Sequence, residues 1–484
     1  MEPVNFEITL TDEVFASRAG LPLVGRLLAR TDLRHRFDAL TVAGASQPTI
    51  RHGEVALSML GLMCLARPDY AAIEDEQPAE LLQLGLGLGA LPSEETLRQR
   101  LDQIGASRLD EALSIVRECS AAMVASSAPT LTTCLEHGEG PRKRRWVALD
   151  IDVSPFDNSN TKKQGVSRTY KGVDGYAPIF AYLGEEGYMV NAELREGSQH
   201  SQNGALPFLR QSLALSRRIV EAALPATADL RPGADARLLV RLDAGHDDLE
   251  NVELCRKLPG VDYVIKRNLR RENVDEWLEI AAAHGRSEQP REGKTVWRGD
   301  HWLAREGRTY RVVFEATERT IDKHGQTLLV PEVEIDTWWT SLPPTKVSAE
   351  QVIELYHRHG TSEQFHSELK SDLDLERLPS GKFNTNALLL GLGLLAYNAL
   401  RLIGQCVLDE DDDLPPEQKP PIKRVAKHGH RPRMKRRRLR RVIQDLMYLS
   451  AKLVRTGRRW CVRLSRCNPW SAVCRALYLR LTPV

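Results

Sequence analysis

Strand-like segments alternate with helical segments between residues 146 and 266, and this alternation restricts the fold more than any other feature of the chain. The strand-like segments are 146–152, 177–183, 189–193, 237–243 and 261–266, and the helical segments are 205–224 and 246–257. Strands that are joined through helices usually pair in parallel within one sheet. The sequence therefore predicts an α/β layer with parallel strand pairing.

The segments on either side of this layer have different patterns. Residues 1–140 are predicted to be mostly helical, with Ser93 as the N-cap of a helix whose first turn is acidic. Residues 270–342 contain one helix followed by aromatic, strand-like runs, which predict a β-rich insertion. Helices resume after Ser348, which is a second predicted N-cap. A chain of 484 residues is long enough for roughly two to four domains.

Charge is segregated near the C-terminus although the net charge is only +2. Eight of the eleven residues in 431–441 are basic, whereas residues 409–413 are all acidic. We expect 409–421 to form an acidic, proline-bearing linker. A basic arm of this kind is often a nucleic-acid-binding segment.

Other sequence features narrow the class of protein. The eight cysteines show no CxxC spacing, so neither a zinc ribbon nor a redox motif is predicted. The first residues have neither the basic nor the apolar region of a signal peptide, and we expect reduced thiols in a cytosol. The apolar run 387–404 has the minimum length of a membrane span but contains Asn398 and Arg401. We therefore predict a buried core helix there and no membrane partner.

Two aspartates lie where predicted strands end. Asp152 and Asp150 share one face of the strand 146–152, and carboxylates on an apolar strand must be paired, hydrated or bound to a metal ion. Asp243 ends the strand 237–243, and ligands bind beyond the carboxyl ends of such strands. The alternatives are a solvated strand end for Asp152 and a cap of the next helix for Asp243, although residues 246–248 could supply that cap instead.

A third acidic candidate, Glu363, lies in the segment 356–370. On a continuous helix Tyr356, His359, Glu363 and Lys370 would fall within about 60° of one another, with cationic side chains flanking an acid. Alternatively, residues 361–364 form a capping box in which Glu363 is a first-turn acid. Glu368 competes for the same role, but it would face a different direction.

Three carboxylates of this kind suit Mg²⁺ or Mn²⁺, which prefer oxygen ligands. Two such ions held together cut and join phosphodiester bonds by in-line displacement. The sequence therefore favours metal-dependent DNA chemistry.

Several ordered motifs make the chain similar to bacterial insertion-sequence transposases of the DDE class. It most resembles the group called IS thirteen-eighty, within the IS-four-like superfamily. The motifs are LDIDVSPFD at 149–157, the segment 169–201, VRLDAGHDD at 240–248, YHRHGTSEQFHSELK at 356–370 and the helix 384–401. The motif at 356–370 resembles the signature called YREK, in which His359 takes the arginine position. Either Arg358 substitutes for that arginine or its DNA contact is weaker.

The resemblance implies an α/β fold with a ribonuclease-H-like catalytic core, a β-rich insertion, a helical N-terminal domain and a basic C-terminal segment. The implied domains are 1–140 (helical, DNA-binding), 145–269 and 345–408 (catalytic core), 270–342 (insertion) and 415–484 (basic, DNA-binding). It also implies that Asp152, Asp243 and Glu363 are catalytic and bind two Mg²⁺ or Mn²⁺ ions. One ion would activate water or a 3′-hydroxyl and the other would stabilise the leaving oxygen.

The implied function is a DNA transposase, which cleaves the ends of an insertion sequence and joins them to target DNA. Its partners would be double-stranded DNA, as terminal inverted repeats and target, with a dimer on DNA in a bacterial cytoplasm. The expected DNA-binding residues are Tyr356, Arg358, His359, Lys370, Lys435, Arg436, Arg437 and Arg438. One tryptophan of the insertion would hold a flipped base, and the candidates are Trp297, Trp302, Trp338 and Trp339.

Two alternatives remain beside this function. One is a transposase-derived DNA-binding protein that has lost catalysis. The other is a metal-dependent nuclease that cuts DNA without joining it.

Overall fold

The computed structural model describes residues 13–42, 49–75, 80–139, 143–223, 236–322, 324–413 and 434–482, and for 410–413 it describes the backbone alone. The chain divides into two compact units. The larger unit contains residues 113–371 and 375–398. The smaller unit contains the described residues up to 112, then 372–374 and those from 399 onwards.

The strands, in chain order, are β1 (Phe15–Ala16), β2 (Leu135–His137), β3 (Arg144–Val153), β4 (Phe156–Asp157), β5 (Ser167–Arg168), β6 (Asp174–Tyr176), β7 (Ile179–Leu183), β8 (Tyr188–Glu193), β9 (Ala236–Leu242), β10 (Val261–Lys266), β11 (Arg286–Arg291), β12 (Lys294–Arg305), β13 (Arg308–Ile321), β14 (Thr327–Thr340), β15 (Ala451–Thr456) and β16 (Arg459–Leu464).

The helices are α1 (Leu21–Leu28), α2 (Leu33–Asp38), α3 (His52–Cys64), α4 (Glu80–Leu86), α5 (Glu94–Ser107), α6 (Leu109–Ser126), α7 (Ala205–Ala223), α8 (Leu249–Lys257), α9 (Val274–His284), α10 (Ala349–His357), α11 (Ser362–Ser367), α12 (Phe383–Asp413), α13 (Leu439–Val442) and α14 (Ser471–Leu481).

The larger unit is built on one mixed sheet with the strand order β8-β7-β3-β9-β10-β14-β13-β12-β11, and β2 pairs with β3. Strand β3 lies near the middle, and Val147, Leu149 and Ile151 are buried on one face while Ala148 and Asp150 are buried on the other. A strand that is covered on both faces needs an almost continuous apolar sequence. The run predicted from the sequence has this composition.

Parallel pairing is confirmed for part of the sheet only. β3 pairs with β9, and β9 with β10, in parallel. The prediction is wrong for β7 and β8, which pair antiparallel with β3 and with each other. The short turn 184–187 joins β7 directly to β8, and a parallel pair would need a crossover of a dozen or more residues.

The helical predictions near the sheet are confirmed within a few residues by α7, α8 and α9. The strand-like pattern that follows α9 is also confirmed, because β11 to β14 form an antiparallel ladder. This ladder continues the main sheet, since the end of β14 pairs with β10. The predicted N-cap of α10 is confirmed, because Ser348 accepts a hydrogen bond from the Gln351 amide.

Helix α12 contains the apolar run that has the length of a membrane span. By length and composition it could cross a membrane, and its apolar window is entirely buried within the protein. Asn398 is buried there with both ends of its amide engaged, because it accepts from the Met189 amide and donates to the Met189 carbonyl. Hydrogen bonds of this kind satisfy a buried polar group within an apolar core.

The smaller unit combines α1 to α5 with the sheet β1-β15-β16 and helices α13 and α14. Ser93 caps α5 as predicted, accepting a hydrogen bond from the Thr96 amide. The linker predicted at 409–421 is wrong for its first part, because residues 409–413 continue helix α12. The rest of that linker, and residues 431–433 of the basic run, lie outside the described residues.

Candidate active site

Asp152 is the second-to-last residue of β3, at the end of the strand where the chain leaves the sheet. Its carboxylate is partly exposed and has two close neighbours. The Val153 amide donates to Oδ1 at 2.8 Å, and His366 Nε2 lies 3.2 Å from Oδ2. Burial opposes the charged form, but the contacts with His366 lower the pKa of Asp152 to about 2. The side chain is therefore an anion at neutral pH.

Asp150 faces the same side of β3 but has a different role. It is buried and forms a two-pronged ion pair with Arg241 of β9, with distances of 2.6 Å and 2.7 Å. His359 Nδ1 lies 3.1 Å from the same carboxylate. Arg241 also donates to the Leu355 carbonyl of α10 at 2.7 Å. Asp150 therefore belongs to the internal support of the site, whereas Asp152 keeps a surface that solvent can reach.

The parallel register of β3 and β9 brings the second aspartate beside the first. Asp150 is opposite Arg241 and Ile151 is opposite Leu242, which is the last pair of the ladder, so Asp152 and Asp243 are the residues that follow it on the two chains. Neighbouring strands lie about 4.8 Å apart, so these carboxylates leave the sheet side by side. The charges of both aspartates affect two neighbouring tyrosines. Burial and these charges raise the pKa of Tyr170 to about 12, and they also raise the pKa of Tyr356.

Asp243 precedes the 3₁₀ turn Ala244–His246, but its side chain caps neither this turn nor helix α8. The cap of α8 is Asp248, which accepts a hydrogen bond from the Glu250 amide at 2.9 Å. Asp247 instead accepts hydrogen bonds from the Trp339 indole and the Asn268 amide. Asp243 retains about two-fifths of its side-chain surface and contacts buried His246, whose Nδ1 lies 2.7 Å from Oδ1. Each of the two aspartates thus contacts one buried histidine.

The segment 356–370 is not the continuous helix that the spacing predicted. Helix α10 ends at His357, a 3₁₀ turn covers Arg358–Thr361, and the short helix α11 passes into a π-helix at Glu368–Asp372. The angular alignment predicted for Tyr356, His359, Glu363 and Lys370 therefore does not hold. The change from 3.6 residues per turn shifts every side chain that follows.

Glu363 lies in the first turn of α11 and is exposed. It precedes His366 by three residues, and residues at this spacing share one face of a helix. His366 contacts the Asp152 carboxylate, so Glu363 lies about one helical turn from the histidine that contacts this aspartate. Glu368 is buried instead. Among the residues that the structure describes, no three His, Cys, Asp or Glu side chains are close enough together to hold a metal ion.

The cationic and aromatic residues of this segment have separate environments. Lys370 is partly buried, donates to the Pro155 carbonyl at 2.5 Å, and burial lowers the pKa of its ammonium. Exposed Arg358 pairs with Glu354 at 2.5 Å. The Tyr356 ring is partly buried, 5.7 Å from the ring of Trp338. Arg358 is thus open to solvent, whereas Tyr356 and Lys370 are each only partly exposed.

His359 is buried against Asp150, and its ring lies 5.9 Å from that of Tyr356. Burial opposes its charged form, but Asp150 raises the pKa of His359 above the ordinary value. The His359 side chain therefore contacts the protein interior. Its predicted contact with DNA stays a prediction.

Four residues in the region of the aspartates lie within the sequence motifs, although the sequence predicted no role for them at the site. They are His246, His366, Tyr170 and Lys171. Tyr170 has an exposed ring, and its hydroxyl donates to the Val153 carbonyl at 3.1 Å. The next residue, Lys171, is exposed. Burial lowers the pKa of the Lys370 ammonium, and the nearby charge of Lys171 lowers it further, whereas Glu376 opposes this change. The presence of all four within the motifs was the available signal.

The four insertion tryptophans differ in exposure. Trp338 and Trp339 are buried, and the Trp339 indole is used by Asp247. Trp297 is partly buried. Trp302, on β12, has 52% of its surface exposed. Only this last ring, among the four, presents a large face to solvent.

The predicted basic residues in the smaller unit are partly engaged within the protein. Arg437 is buried, lies over the Trp470 ring and pairs with Asp445. Arg438 is half exposed and pairs with Asp372 at 2.8 Å. Lys435 is exposed and Arg436 is partly buried. Exposed arginines are concentrated on the hairpin of β15 and β16 and just after it, at Arg455, Arg458, Arg459, Arg463 and Arg466.

The residues at the strand ends fit a divalent cation in part. Asp152 and Asp243 provide adjacent, partly exposed carboxylate oxygens, and the low pKa of Asp152 keeps it in the anionic form that a hard cation needs. Glu363 supplies a third carboxylate on the neighbouring helix, but it is not gathered with the other two. Two of the three predicted ligands therefore lie at neighbouring strand ends, and the third does not join them.

The family model described as "Transposase DDE domain group 1" matches residues 7–413. The solved structure of a piggyBac transposase synaptic complex with hairpin DNA aligns with the chain at 10% identity and a TM-score of 0.39, over 79% of this chain and 74% of that one. No curated protein matches the chain. Because the family model covers most of its length, the chain belongs to the DDE transposase family.

Proposed function

We propose that this chain is a DNA transposase, which cleaves the ends of an insertion sequence and joins them to target DNA. The observation that supports this most strongly is the adjacent placement of Asp152 and Asp243 at the ends of parallel strands β3 and β9. Two carboxylates at neighbouring strand ends can share a divalent cation. Membership of the DDE transposase family makes DNA the expected substrate.

Asp152, Asp243 and Glu363 would hold two Mg²⁺ or Mn²⁺ ions. Such ions supply Lewis-acid polarisation at the phosphorus and stabilise the charge that develops on the oxygens there. Because Glu363 is exposed on a short helix, its side chain can change rotamer towards the aspartates when DNA and cations arrive.

The residues around the carboxylates would orient the DNA backbone. Lys370 places positive charge near Asp152 and Lys171 lies near Lys370, while Arg358 offers exposed donors and Tyr170 an exposed ring. We propose that Tyr356 contributes the edge of its ring. Trp302 is the tryptophan we propose for stacking against a flipped base, because its ring is exposed.

We also propose a DNA-binding surface on the smaller unit, the basic hairpin, defined as residues 451–466. Its exposed arginines would contact phosphates, with Lys435 and Arg436 as further cations. The ion pairs of Arg437 and Arg438 reduce what those two side chains can contribute. Phosphate contacts of this kind are independent of sequence and sensitive to salt.

The sheet topology and the sequence motifs support the finer parts of the proposal. A meander of β3, β7 and β8, continued on the other side of β3 by parallel β9 and β10, supports a ribonuclease-H-like core. The motifs at 149–157, 240–248 and 356–370 support the IS thirteen-eighty group of the IS-four-like superfamily. We further propose a dimer on DNA, acting in the cytoplasm of a bacterium at the nucleoid.

One observation favours a second candidate, a DNA-binding protein without catalysis, because the third carboxylate stands apart from the first two. Strand transfer separates the candidates. The purified chain is incubated with Mg²⁺, a supercoiled target plasmid and precut duplexes ending in the inverted repeats that flank its coding region. A transposase joins the duplex 3′ ends to the plasmid. Binding without joining supports the second candidate, and plasmid cleavage without joining supports a nuclease.

A further inference from the structure

A chain of three polar groups leads from the core of the larger unit to Asp152. The Tyr182 hydroxyl lies 3.3 Å from His366 Nδ1, and His366 Nε2 lies 3.2 Å from Asp152 Oδ2. Tyr182 is fully buried on β7, and His366 is 5% exposed on α11. The contact therefore links residues that are 184 and 214 positions apart in the sequence.

Aromatic rings hold the imidazole in this position. The ring of His366 lies 5.3 Å from that of Phe180 and 5.4 Å from that of Tyr182, the latter edge to face. Such packing restricts the imidazole to one orientation, in which both nitrogens meet polar partners. A phenyl ring in its place would keep the packing but lose both polar contacts.

The chemistry of the partners assigns the proton. A carboxylate only accepts hydrogen bonds, so Nε2 must carry the hydrogen that points to Asp152. The Tyr182 hydroxyl can then donate to Nδ1, which lies 3.3 Å away and is an acceptor when Nε2 carries the only ring hydrogen. Donation at Nε2 means that this nitrogen is not available as a ligand to a cation.

We infer that His366 is a positioning residue, which fixes the orientation of the Asp152 carboxylate towards a divalent cation and is itself fixed by Tyr182. This role rests on the proposed function, since it takes Asp152 as a metal ligand. Val153 and His366 each occupy one lone pair, on Oδ1 and Oδ2 respectively. One further lone pair on each oxygen is left for a cation, and the Asp152 side chain keeps about a fifth of its surface exposed.

The arrangement has a consequence for metal affinity. A carboxylate that is already oriented loses less conformational freedom when it binds a cation, and outer partners of this kind typically change metal affinity by about 10- to 100-fold. A merely structural role for His366 would change the melting temperature but leave Mn²⁺ affinity per folded molecule unchanged.

The test is Mn²⁺ binding to the full chain, measured by electron paramagnetic resonance without DNA. His366→Phe should weaken binding about 10-fold or more, and His366→Gln, whose amide can reach the place of Nε2, should recover most of it. Tyr182→Phe removes the hydroxyl that contacts His366 Nδ1, and it should weaken Mn²⁺ binding by a smaller factor than His366→Phe does. The matched control is Tyr176→Phe, which removes a buried hydroxyl that donates to the Gln164 carbonyl and should leave Mn²⁺ affinity unchanged.

Asp152→Ala, measured beside these variants, distinguishes the two levels of the proposal. If Asp152→Ala loses Mn²⁺ binding while His366→Phe and Tyr182→Phe both bind as the wild type does, the positioning role is wrong and the metal site stands. If Asp152→Ala itself binds Mn²⁺ as the wild type does, the proposed site is wrong. Should His366→Phe fail to fold, Tyr182→Phe against Tyr176→Phe gives the same decision.

Discussion

Asp150 and Arg241 form a buried, two-pronged ion pair directly behind the two aspartates of the site, each two residues before one of them on its strand. The pair joins β3 to β9, and Arg241 extends the connection to α10 through the Leu355 carbonyl. The strand ends that carry Asp152 and Asp243 are thereby fixed to each other. This connection uses charge where neighbouring positions use apolar packing.

Removing one member of this pair should be costly for stability. Asp150→Ala leaves the Arg241 guanidinium buried without its counter-charge, and breaking a buried pair in this way costs about 3–5 kcal/mol. The free energy of unfolding in urea measures the loss. Asp150→Ala combined with Arg241→Met should recover part of it, and a single variant as stable as the wild type would contradict the role assigned to the pair.

His359 should make stability depend on pH. Asp150 holds the pKa of buried His359 above its ordinary value of 6.5, so the folded chain binds this proton more tightly than the unfolded chain. The stability that it contributes is complete below pH 6.5 and is lost as pH rises through the folded-state pKa. Unfolding free energies of the wild type and His359→Gln should therefore differ more at pH 6 than at pH 9. A constant difference would exclude the charged pair.

Glu363 and Glu368 should respond differently to the same substitution. Glu363→Gln changes an exposed side chain, so it should leave the melting temperature nearly unchanged while abolishing DNA cleavage. Glu368→Gln changes a buried side chain and should lower the melting temperature. Cleavage assays on folded samples of both variants decide the assignment. Activity retained in Glu363→Gln and lost in Glu368→Gln would show that Glu368 is the third acid.

The basic hairpin should dominate the salt dependence of DNA binding. Replacing Arg455, Arg458, Arg459 and Arg463 with glutamine should reduce the slope of log affinity against log salt concentration by about 3 to 4, because each neutralised phosphate contributes about 0.9. The comparison variant is Arg438→Gln, whose charge is already paired with Asp372 and which should change the slope little. An unchanged slope in the fourfold variant would remove the hairpin from the DNA-binding surface.

Local patterns in the sequence were sufficient to predict the elements that bear the site. The strand that carries Asp152 and the strand that precedes Asp243 were predicted within one or two residues, because central strands have a dense aliphatic composition. The caps at Ser93 and Ser348 were also predictable, since each depends on residues three positions apart. To predict that β7 and β8 pair antiparallel, it is also necessary to recognise that only a tight turn separates them.

Contacts between distant residues could not be predicted in this way. Nothing local relates His366 to Asp152, or Arg437 to Asp445 and Trp470, because these contacts form only when separate elements pack together. The breaks in the segment 356–370 depend on similar packing, since buried His359 and His366 must both face β3 from one short stretch of chain.

Metal-dependent cleavage of an insertion-sequence end is the decisive measurement. A labelled duplex carrying the element's own terminal repeat is incubated with wild-type protein, Asp152→Ala or Asp243→Ala, each with Mg²⁺ or with EDTA. We expect the wild type to cut at the repeat in Mg²⁺ alone, and both variants to bind the duplex without cutting it. Cleavage in EDTA, or cleavage by either variant at the wild-type rate, would contradict a metal site at these two aspartates.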